Sequence, residues 1–333
     1  MNLVSIFDAL EAPTEVGGDK QRFSATPIPD HEHHRIGKDV HGNPLLLLLS
    51  GSAAGGGESL APIALQHLSV QYEVACRVTR QGGETEEGVF TVVRCTGRDR
   101  GLRLYFLHVA NSIITAIPDH PCDEDIASAM SKLVELFHAM SKLPKKSVQG
   151  LWAELFCIAR SREPRTMLNC WHQLPGDLYD FGSEKLRLEV KSASGELRQH
   201  HFALAQLSPP EGVTVLLASV FANRAGGGTS IADLVDEIQG RLGDDPELSV
   251  QLDRVVGLTL GSDWRAAFED RFDREQATAS SGFYSSDVVP SVSKVLPPGV
   301  SDVRFRVDLS SCPTVDLQIY RSKGSLFKAA LRK

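Results

Sequence analysis

The most constraining feature of the sequence is the alternation of helix-like and strand-like hydrophobic patterns between residues 147 and 225. Ser147 precedes an apolar helical segment, whereas Leu186 to Lys191 and Val213 to Phe221 have the composition of strands. Val213 to Phe221 is apolar almost throughout, which is typical of a strand covered on both faces. Alternation of this kind is typical of an α/β unit. The sequence therefore predicts a mixed fold with a buried sheet in this region.

The segment before residue 147 shows two further patterns. Residues 1 to about 115 are strand-rich, and Val70 to Thr79 and Gly88 to Cys95 flank the turn-like Gln81-Gly-Gly-Glu84, which predicts a β-hairpin. Ile126 to Met140 has apolar residues at three- and four-residue spacing after an acidic start. That spacing predicts a helix.

The segments after residue 200 are also patterned. His201 to Leu207 is compatible with a helix, Gly226-Gly-Gly228 with a linker, and Ser230 to Leu242 with a capped helix. From Ala277 onward the chain returns to strand-like patterns, most clearly in the alternation from Val303 to Leu309.

These patterns predict four regions in the 333 residues. They are a β-rich N-terminal domain at 1–120, a helical connector at 121–146, an α/β core at 147–228, and a C-terminal helix-plus-strand region at 229–333. The fold class expected is α+β or α/β. At about 100 to 200 residues per domain, the length suits two or three domains.

The net charge argues against one class of function, but its distribution changes the conclusion. Lys and Arg number 35 against 42 Asp and Glu, a formal charge of -7, so overall charge cannot draw the chain onto DNA or an anionic membrane. Residues 231–275 hold 12 acidic and 5 basic residues, whereas residues 142–201 hold 7 acidic and 10 basic ones. A basic surface for DNA is therefore possible around the predicted core, and the acidic 231–275 segment is a candidate for protein contacts.

The sequence lacks the signals of secreted, membrane-spanning, zinc-binding and phosphate-loop proteins. The start of the chain lacks a basic segment followed by an apolar run, and no run approaches the roughly 20 apolar residues of a membrane span, so we expect a cytoplasmic protein with no membrane contact. The six cysteines include no Cys-x-x-Cys pair and are expected to be reduced thiols. The Gly-rich stretches 55–57 and 226–228 lack the Lys-Ser/Thr of a phosphate loop, and His31-Glu-His-His34 favours a solvated loop over a metal site.

The chemistry is expected on the strand Leu186-Arg-Leu-Glu-Val-Lys191. Side chains alternate along a strand, so Glu189 and Lys191 point to the same face. If the preceding hairpin turns near 183–185, Asp180 lies opposite or nearly opposite Glu189, at the roughly 5 Å typical of cross-strand neighbours. Two hard oxygen ligands at this spacing can share Mg²⁺, and the adjacent lysine can orient or activate an attacking water.

This pattern also has a plain alternative, a solvated strand face with a cross-strand ion pair. Glu189-Val-Lys191 is, however, the one acid-x-Lys triplet in the chain, and the hairpin places Asp180 beside it. Glu154 lies in the otherwise apolar turn Leu151 to Ile158, where an inward carboxylate must be paired or bound to a cation. An ordinary surface position on the helix is the alternative for Glu154.

Several blocks resemble a known family. Gln149-Gly-Leu-Trp-Ala-Glu-Leu-Phe156, Tyr179-Asp-Phe-Gly182, Leu186 to Lys191 and His201 to Leu207 resemble the nuclease core of a bacterial PD-(D/E)xK protein family, long known only as a domain of unknown function. Val92-Val-Arg-Cys-Thr96 and the segment 296–304 resemble further family blocks, so the resemblance covers most of the chain. Tyr179 stands where the motif has proline, which this motif class tolerates.

The resemblance implies a restriction-endonuclease-like αβββαβ core at 147–228 and a divalent-metal phosphodiesterase. By position, Asp180 and Glu189 would be metal ligands, Lys191 the catalytic lysine, and Glu154 a further ligand or supporting acid. The implied cofactor is Mg²⁺, with Mn²⁺ as a substitute. Gln206, on the segment after the core strands, is a weaker candidate that is equally compatible with helix surface, and Arg198, His200 and His201 either touch phosphates or form a polar loop.

The resemblance also implies partners. It places the chain in restriction or phage-defence gene clusters beside DNA methyltransferase and helicase-like ATPase genes, with DNA as substrate. Cleavage of both strands by a nuclease with one site usually calls for two copies, so a homodimer is a further expectation. The competing hypothesis is a catalytically silent scaffold that keeps the nuclease fold to bind a partner ATPase or methyltransferase.

Overall fold

The computed structural model describes residues 3–13, 21–49, 60–79, 85–97, 99–118, 121–172, 176–243, 245–292 and 295–331. The chain forms two compact units. One comprises residues 1–143 and 249–265, and the other comprises residues 144–248 and 266–333. No helix in the described ranges has both the length and the apolar character of a membrane span.

The helices are distributed over both units. In chain order they are α1 (Leu3–Asp8), α2 (Arg100–Thr115), α3 (Asp123–Ala139), α4 (Val148–Arg160), α5 (Pro164–Cys170), α6 (Ile231–Leu242), α7 (Pro246–Leu260), α8 (Ala266–Glu269), α9 (Arg274–Ser280), α10 (Leu317–Arg321) and α11 (Ser325–Ala330). Two short 3₁₀ turns lie at Leu204–Leu207 and Gly261–Asp263.

In the part of the chain that the structure describes, the strands form one large sheet and three smaller ones. In chain order they are β1 (Gln21–Ile28), β2 (His31–Lys38), β3 (Pro44–Leu48), β4 (Ile63–Ala64), β5 (Leu68–Thr79), β6 (Thr85–Cys95), β7 (Phe181–Ser183), β8 (Leu186–Ala193), β9 (Gln199–Ala203), β10 (Thr214–Phe221), β11 (Arg224–Ser230), β12 (Arg271–Phe272), β13 (Gly282–Ser285) and β14 (Arg304–Asp308).

The first unit is built on a six-stranded sheet with the order β1-β2-β3-β6-β5-β4, in which β1 also pairs in parallel with β5. β5 and β6 pair antiparallel, which confirms the predicted hairpin; its turn, residues 80–84, lies outside the described residues. β3 is buried along its whole length because it is an interior strand in which four leucines follow Pro44. The predicted helix near 126–140 is confirmed as α3.

Two parts of this unit differ from expectation. His31-Glu-His-His34 lies in β2 rather than in a solvated loop, and the His34 side chain is buried. α2 occupies part of the segment expected to be strand-rich. It begins where the Asp99 side chain accepts a hydrogen bond from the Leu102 backbone N–H. Its aromatic and β-branched residues favour strands locally, but packing of one apolar face decides the conformation.

The second unit contains a four-stranded sheet with the order β13-β10-β8-β7. β8 and β10 run parallel, while β7 and β13 pair antiparallel with their neighbours. The strands predicted at Leu186 to Lys191 and Val213 to Phe221 are therefore confirmed, and β10 is almost wholly buried, as its apolar run predicted. β8 lies between β7 and β10, so its backbone is held on both sides.

α4 is a buried helix of the same unit. It starts at Ser147, whose Oγ accepts a hydrogen bond of 3.1 Å from the Gly150 backbone N–H. The Trp152 and Phe156 rings stack with their centroids 5.3 Å apart. Residues 151–156 are all buried, so the carboxylate of Glu154 is surrounded by protein rather than water.

Three sequence expectations for this unit need correction. His201 to Leu207 is not one helix, because β9 runs to Ala203 and only a 3₁₀ turn follows. Gly226–Gly228 is not a linker, because it belongs to β11, and the backbone of Phe272 leaves no room for a side chain at Gly228. The C-terminal part returns to strands at β13 and β14 but also forms α9, α10 and α11.

The fold is a mixed α/β fold, as predicted. The elements of the central region follow the order α4, α5, β7, β8, β9, 3₁₀ turn and β10. β9 pairs with β14 in a separate two-stranded sheet rather than with β7 or β8. The αβββαβ core and the division at residues 120, 146 and 228 therefore stay predictions.

Candidate active site

The pairing of β7 with β8 places two carboxylates side by side. Phe181 pairs with Leu188, so Asp180, one residue before β7, is next to Glu189 in the register. The Val190 backbone N–H donates a hydrogen bond of 2.8 Å to Asp180 Oδ2. Asp180 and Glu189 are both 4% exposed. The structure thus brings together the two acids that the sequence placed on facing strands.

Glu154 approaches the same place from α4. Its Oε2 accepts hydrogen bonds of 2.8 Å from Trp171 Nε1 and lies 2.8 Å from His172 Nε2. The residue is 2% exposed, so its charge has almost no contact with solvent. The inward orientation, rather than a position on the helix surface, is the one that the structure shows.

Lys146 connects Glu154 to Asp180. Its Nζ donates a hydrogen bond of 2.6 Å to Glu154 Oε1 and a second, shorter one to Asp180 Oδ1. The same Nζ lies 3.4 Å from His172 Nε2. Lys146, Glu154, His172 and Asp180 therefore form a compact group, here called the Lys146 cluster.

His172 is held in an uncommon backbone conformation. Its φ is 42°, in the left-handed region that costs a non-glycine residue about 1 kcal/mol or more. The His172 backbone N–H donates to the Asp180 carbonyl at 3.1 Å, and Trp171 forms an isolated β-bridge with Phe181. These contacts position the His172 imidazole next to Glu154, although the backbone of His172 is strained.

A second group surrounds the other carboxylate. Glu189 Oε1 accepts a hydrogen bond of 2.7 Å from Gln206 Nε2 and lies 2.7 Å from Lys191 Nζ. Lys191 Nζ also donates to Gln206 Oε1 at 3.2 Å. Glu189, Lys191 and Gln206 are here called the Lys191 cluster. Gln206, a weaker candidate from the sequence, is thus in direct contact with both Glu189 and Lys191.

Gln206 is itself fixed by backbone groups. Its Nε2 donates to the Leu178 carbonyl at 3.0 Å, and its Oε1 accepts from the Ala203 backbone N–H at 3.1 Å. The 3₁₀ turn after β9 therefore positions an amide that both orients Lys191 and binds Glu189. The other oxygen, Glu189 Oε2, is buried and has no hydrogen-bond partner among the described residues.

The electrostatics of the Lys146 cluster are largely balanced. Burial alone would raise the pKa of Glu154, but the hydrogen bond with His172 and the charge of Lys146 lower it below its ordinary value. Burial alone would lower the pKa of Lys146, but the Asp180 and Glu154 carboxylates raise it. Burial, together with the neighbouring charge of Glu154, raises the pKa of Asp180 to about 6.

The Lys191 cluster is less balanced. Burial, then repulsion from Asp180, raises the pKa of Glu189 to about 8, and the charge of Lys191 offsets only part of this increase. A buried carboxylate keeps a strongly raised pKa where the cations beside it offset only part of the cost of burial. Clusters of such groups are typical of functional sites.

The donor atoms fit a divalent cation. Within the described part of the chain, Glu154, His172 and Asp180 form a group that can hold a metal ion, with one potential ligand atom from each residue and all of these atoms within 4.8 Å of one another. Glu189 adds an oxygen without a hydrogen-bond partner next to Asp180. Carboxylate oxygens suit Mg²⁺, and an added imidazole nitrogen favours Mn²⁺ and other transition metals.

The structure therefore gathers all four residues singled out from the sequence, namely Glu154, Asp180, Glu189 and Lys191, together with Gln206. It adds Lys146 and His172, which sequence reasoning missed. Pro144-Lys-Lys146 was interpreted only as a joint between segments. No spacing rule identifies His172, which follows the end of α5 at Cys170.

The basic residues that follow β8 are not part of these clusters. Arg198 donates to the Ser219 hydroxyl at 2.8 Å, and it also donates to the Ser280 carbonyl. His200 is buried, with its Nε2 2.8 Å from Ser219 Oγ. Of the three candidates for phosphate contact, only His201 is exposed.

Comparison with known proteins gives one match. A family model described as "Putative PD-(D/E)XK family member, (DUF4420)" matches residues 3–310. No curated protein and no solved structure matches the chain.

Proposed function

Because this chain belongs to the PD-(D/E)XK family, we propose that it is a divalent-metal-dependent endonuclease that hydrolyses phosphodiester bonds of DNA. Family membership indicates a nuclease-like function of the metal-dependent class. The nature of the substrate, the identity of the metal and the biological role are the parts that we propose.

One observation carries the proposal. Three carboxylates, Glu154, Asp180 and Glu189, are each at most 4% exposed and converge from α4 and the β7–β8 hairpin. Burying charged groups together is unfavourable unless cations or hydrogen bonds compensate them. Such an arrangement contributes little to stability and is therefore best explained by a role in binding a cation.

Each residue has a proposed part. Asp180, Glu189 and Glu154 would hold the ion, with His172 as a further ligand. Mg²⁺, or Mn²⁺ in its place, would supply Lewis-acid stabilisation of charge on the scissile phosphate. The Lys191 ammonium, fixed by Gln206, would orient the attacking water and stabilise negative charge as it develops.

The order of elements agrees with the proposed nuclease core. α4, β7, β8, β9, the 3₁₀ turn and β10 occur in the order of the letters αβββαβ, if α5 is taken as an insertion after α4 and the 3₁₀ turn stands for the second helix. Asp180 begins the hairpin and Glu189 and Lys191 lie on its second strand, which is the placement that the motif requires.

We extend the proposal to the biological setting implied by the sequence resemblance. DNA is the proposed substrate, and a restriction or phage-defence system with a methyltransferase and a helicase-like ATPase is the proposed context. The basic excess between residues 142 and 201 supports contact with a polyanion along this segment. A homodimer is proposed for cleavage of both strands.

Cleavage of supercoiled plasmid DNA tests the activity. With Mg²⁺ or Mn²⁺ the wild-type protein should cleave, and Asp180→Ala, Glu189→Ala and Lys191→Ala should each lower the rate by about 10²–10⁴, the usual effect of losing a catalytic group. Glu196→Ala, a charge change at an exposed loop residue, is the matched control and should retain full activity. Circular dichroism checks that each variant is folded. Full activity of Lys191→Ala would overturn the role of the lysine.

Calorimetry separates the nuclease from the scaffold hypothesis. The wild-type protein should bind Mn²⁺ with measurable heat that Asp180→Ala loses. If the two proteins show the same measurable heat, Mn²⁺ does not bind at Asp180 and the silent scaffold is the better description.

A further inference from the structure

The Lys146 ammonium lies where a cation would contact three proposed ligands. It is hydrogen-bonded to Glu154 and Asp180, one of these bonds being 2.6 Å long, and it lies 3.4 Å from the His172 ring nitrogen. These are the same side chains whose ligand atoms lie within 4.8 Å of one another. A metal ion bound to these side chains would therefore need the same donor atoms as the Lys146 ammonium.

The distances in the Lys146 cluster suit an ammonium group better than a metal ion. Lys146 Nζ lies 2.6 Å from Glu154 Oε1, whereas Mg²⁺ binds oxygen at about 2.0–2.1 Å. The cluster is thus in an ammonium-bound form.

Lys146 is able to leave. It lies in the bend between the described residues of α3 and α4, outside any helix or strand. Its side chain is 33% exposed, whereas that of Lys191, on β8 between two other strands, is 19% exposed. A flexible four-carbon stem at the edge of a site can move its charge into solvent without moving the backbone.

We propose that the Lys146 ammonium is a resident cation that holds the Glu154, His172 and Asp180 ligand set in the metal-free protein and is displaced by a divalent ion. This inference rests on the proposed function, because it takes these residues as the metal ligands. Lys146 is then a positioning residue. The Lys146 ammonium holds the buried carboxylates in position before the metal binds. It also weakens metal binding, because the ion must first displace the ammonium.

The displacement has a quantitative consequence. Only the fraction of molecules in which the ammonium has moved away can bind the ion, so the apparent affinity is reduced by that fraction. Removing the ammonium should make metal binding tighter and the metal-free protein less stable. A lysine that merely stabilises the fold would not tighten metal binding when it is removed.

The test is calorimetric titration of the full chain with MnCl₂ at fixed pH, with Lys146→Met compared with wild type. We expect the Kd for Mn²⁺ to fall by about tenfold, which corresponds to the loss of one competing interaction of about 1.4 kcal/mol. Lys145→Met removes the same charge from the preceding, exposed residue and should leave the Kd unchanged. Lys146→Gln, which keeps a polar group and loses the charge, is the second variant if Lys146→Met folds poorly.

Thermal unfolding with and without Mn²⁺ gives an independent measurement. The Tm of Lys146→Met should lie below that of wild type without metal, and Mn²⁺ should raise it by more than it raises the wild-type Tm.

An unchanged or weaker Mn²⁺ affinity in both Lys146 variants, with wild-type binding intact, would overturn the displacement while leaving the proposed nuclease standing. If neither wild type nor any Lys146 variant binds Mn²⁺, the proposed function and this inference fail together. Binding by the variants alone would support the displacement.

Discussion

The Lys146 cluster and the Lys191 cluster solve the same physical problem differently. In the Lys146 cluster, both oxygens of Glu154 and both oxygens of Asp180 accept hydrogen bonds. In the Lys191 cluster, one oxygen of Glu189 has no partner among the described residues. The Lys146 ammonium bridges the Glu154 and Asp180 carboxylates, whereas the charge of the Glu189 carboxylate is only partly compensated.

The difference indicates that the Lys146 cluster maintains the structure of the site, whereas the Lys191 cluster serves its chemistry. The pKa of Glu154 is lowered, so its charge is stabilised by the protein itself. The pKa of Glu189 is raised to about 8, so its charge is not. A site that keeps its structure without metal needs a cluster whose charges the protein compensates, as in the Lys146 cluster. A site that attracts a cation also needs a carboxylate whose charge is not fully compensated, as in the Lys191 cluster.

The largest expected effect comes from making the same substitution in the two clusters. Glu154→Gln leaves Lys146 without one of its two carboxylates. We expect this substitution to lower the free energy of unfolding by about 2 kcal/mol at pH 7. Breaking a fully buried ion pair costs more, but Lys146 is partly solvated. Glu189→Gln replaces a carboxyl that folding keeps mostly protonated at this pH, so the variant should lose no stability and should be the more stable protein at pH 7. Urea denaturation of the metal-free proteins measures both. Equal losses would remove the distinction between the clusters.

The pH dependence of stability should come from the Lys191 cluster. The pKa of Glu189 rises from 4.5 to about 8 on folding, so the folded protein binds more protons than the unfolded chain between these values. Stability of the metal-free protein should therefore decrease as pH rises from about 5 to 8, by at least about 1 kcal/mol through this group, because one pKa unit corresponds to about 1.4 kcal/mol.

Glu189→Gln isolates this contribution. Asp180, whose pKa is also raised, adds a change of the same sign in both proteins, so the difference between wild type and Glu189→Gln reports Glu189. Tm measured across the pH range should converge at low pH and diverge as pH rises, with the variant the more stable. Parallel curves would contradict the raised pKa.

The smallest expected effect concerns the neutral amide that joins Glu189 to Lys191. Gln206→Met keeps the volume but loses the hydrogen bonds to Glu189, Lys191 and two backbone groups. We expect a loss of stability of about 1 kcal/mol, since each neutral hydrogen bond has a small net value and some partners regain water. Urea denaturation measures it, and a loss larger than that of Glu154→Gln would show that the amide, rather than the ammonium, is the main support of the site.

The parts of the site that follow from periodicity were predictable. Alternation along Leu186 to Lys191 put Glu189 and Lys191 on one face, and the hairpin put Asp180 beside them. Glu154 stood out because it was a carboxylate within an apolar helical turn. In each case a regular element fixed the direction of the side chain, so the sequence alone contained the geometry.

The residues that were missed reach the site from irregular backbone. Lys146 lies in a bend and His172 has a left-handed φ, so no repeat in the sequence indicates where their side chains point. The 3₁₀ turn that carries Gln206 is too short to produce a helical period. α2 was missed for a different reason, because its residues favour strands locally and its helical conformation depends on tertiary packing.

The backbone at His172 also limits how this chain can change over generations. A φ of 42° is readily adopted by glycine, asparagine and aspartate and poorly by valine, isoleucine or threonine. Among the tolerated residues, aspartate and asparagine still offer an oxygen toward Glu154, whereas glycine offers nothing. Main-chain geometry at position 172 therefore disfavours β-branched replacements, and among the residues named here that it tolerates only glycine would leave the site without a polar group.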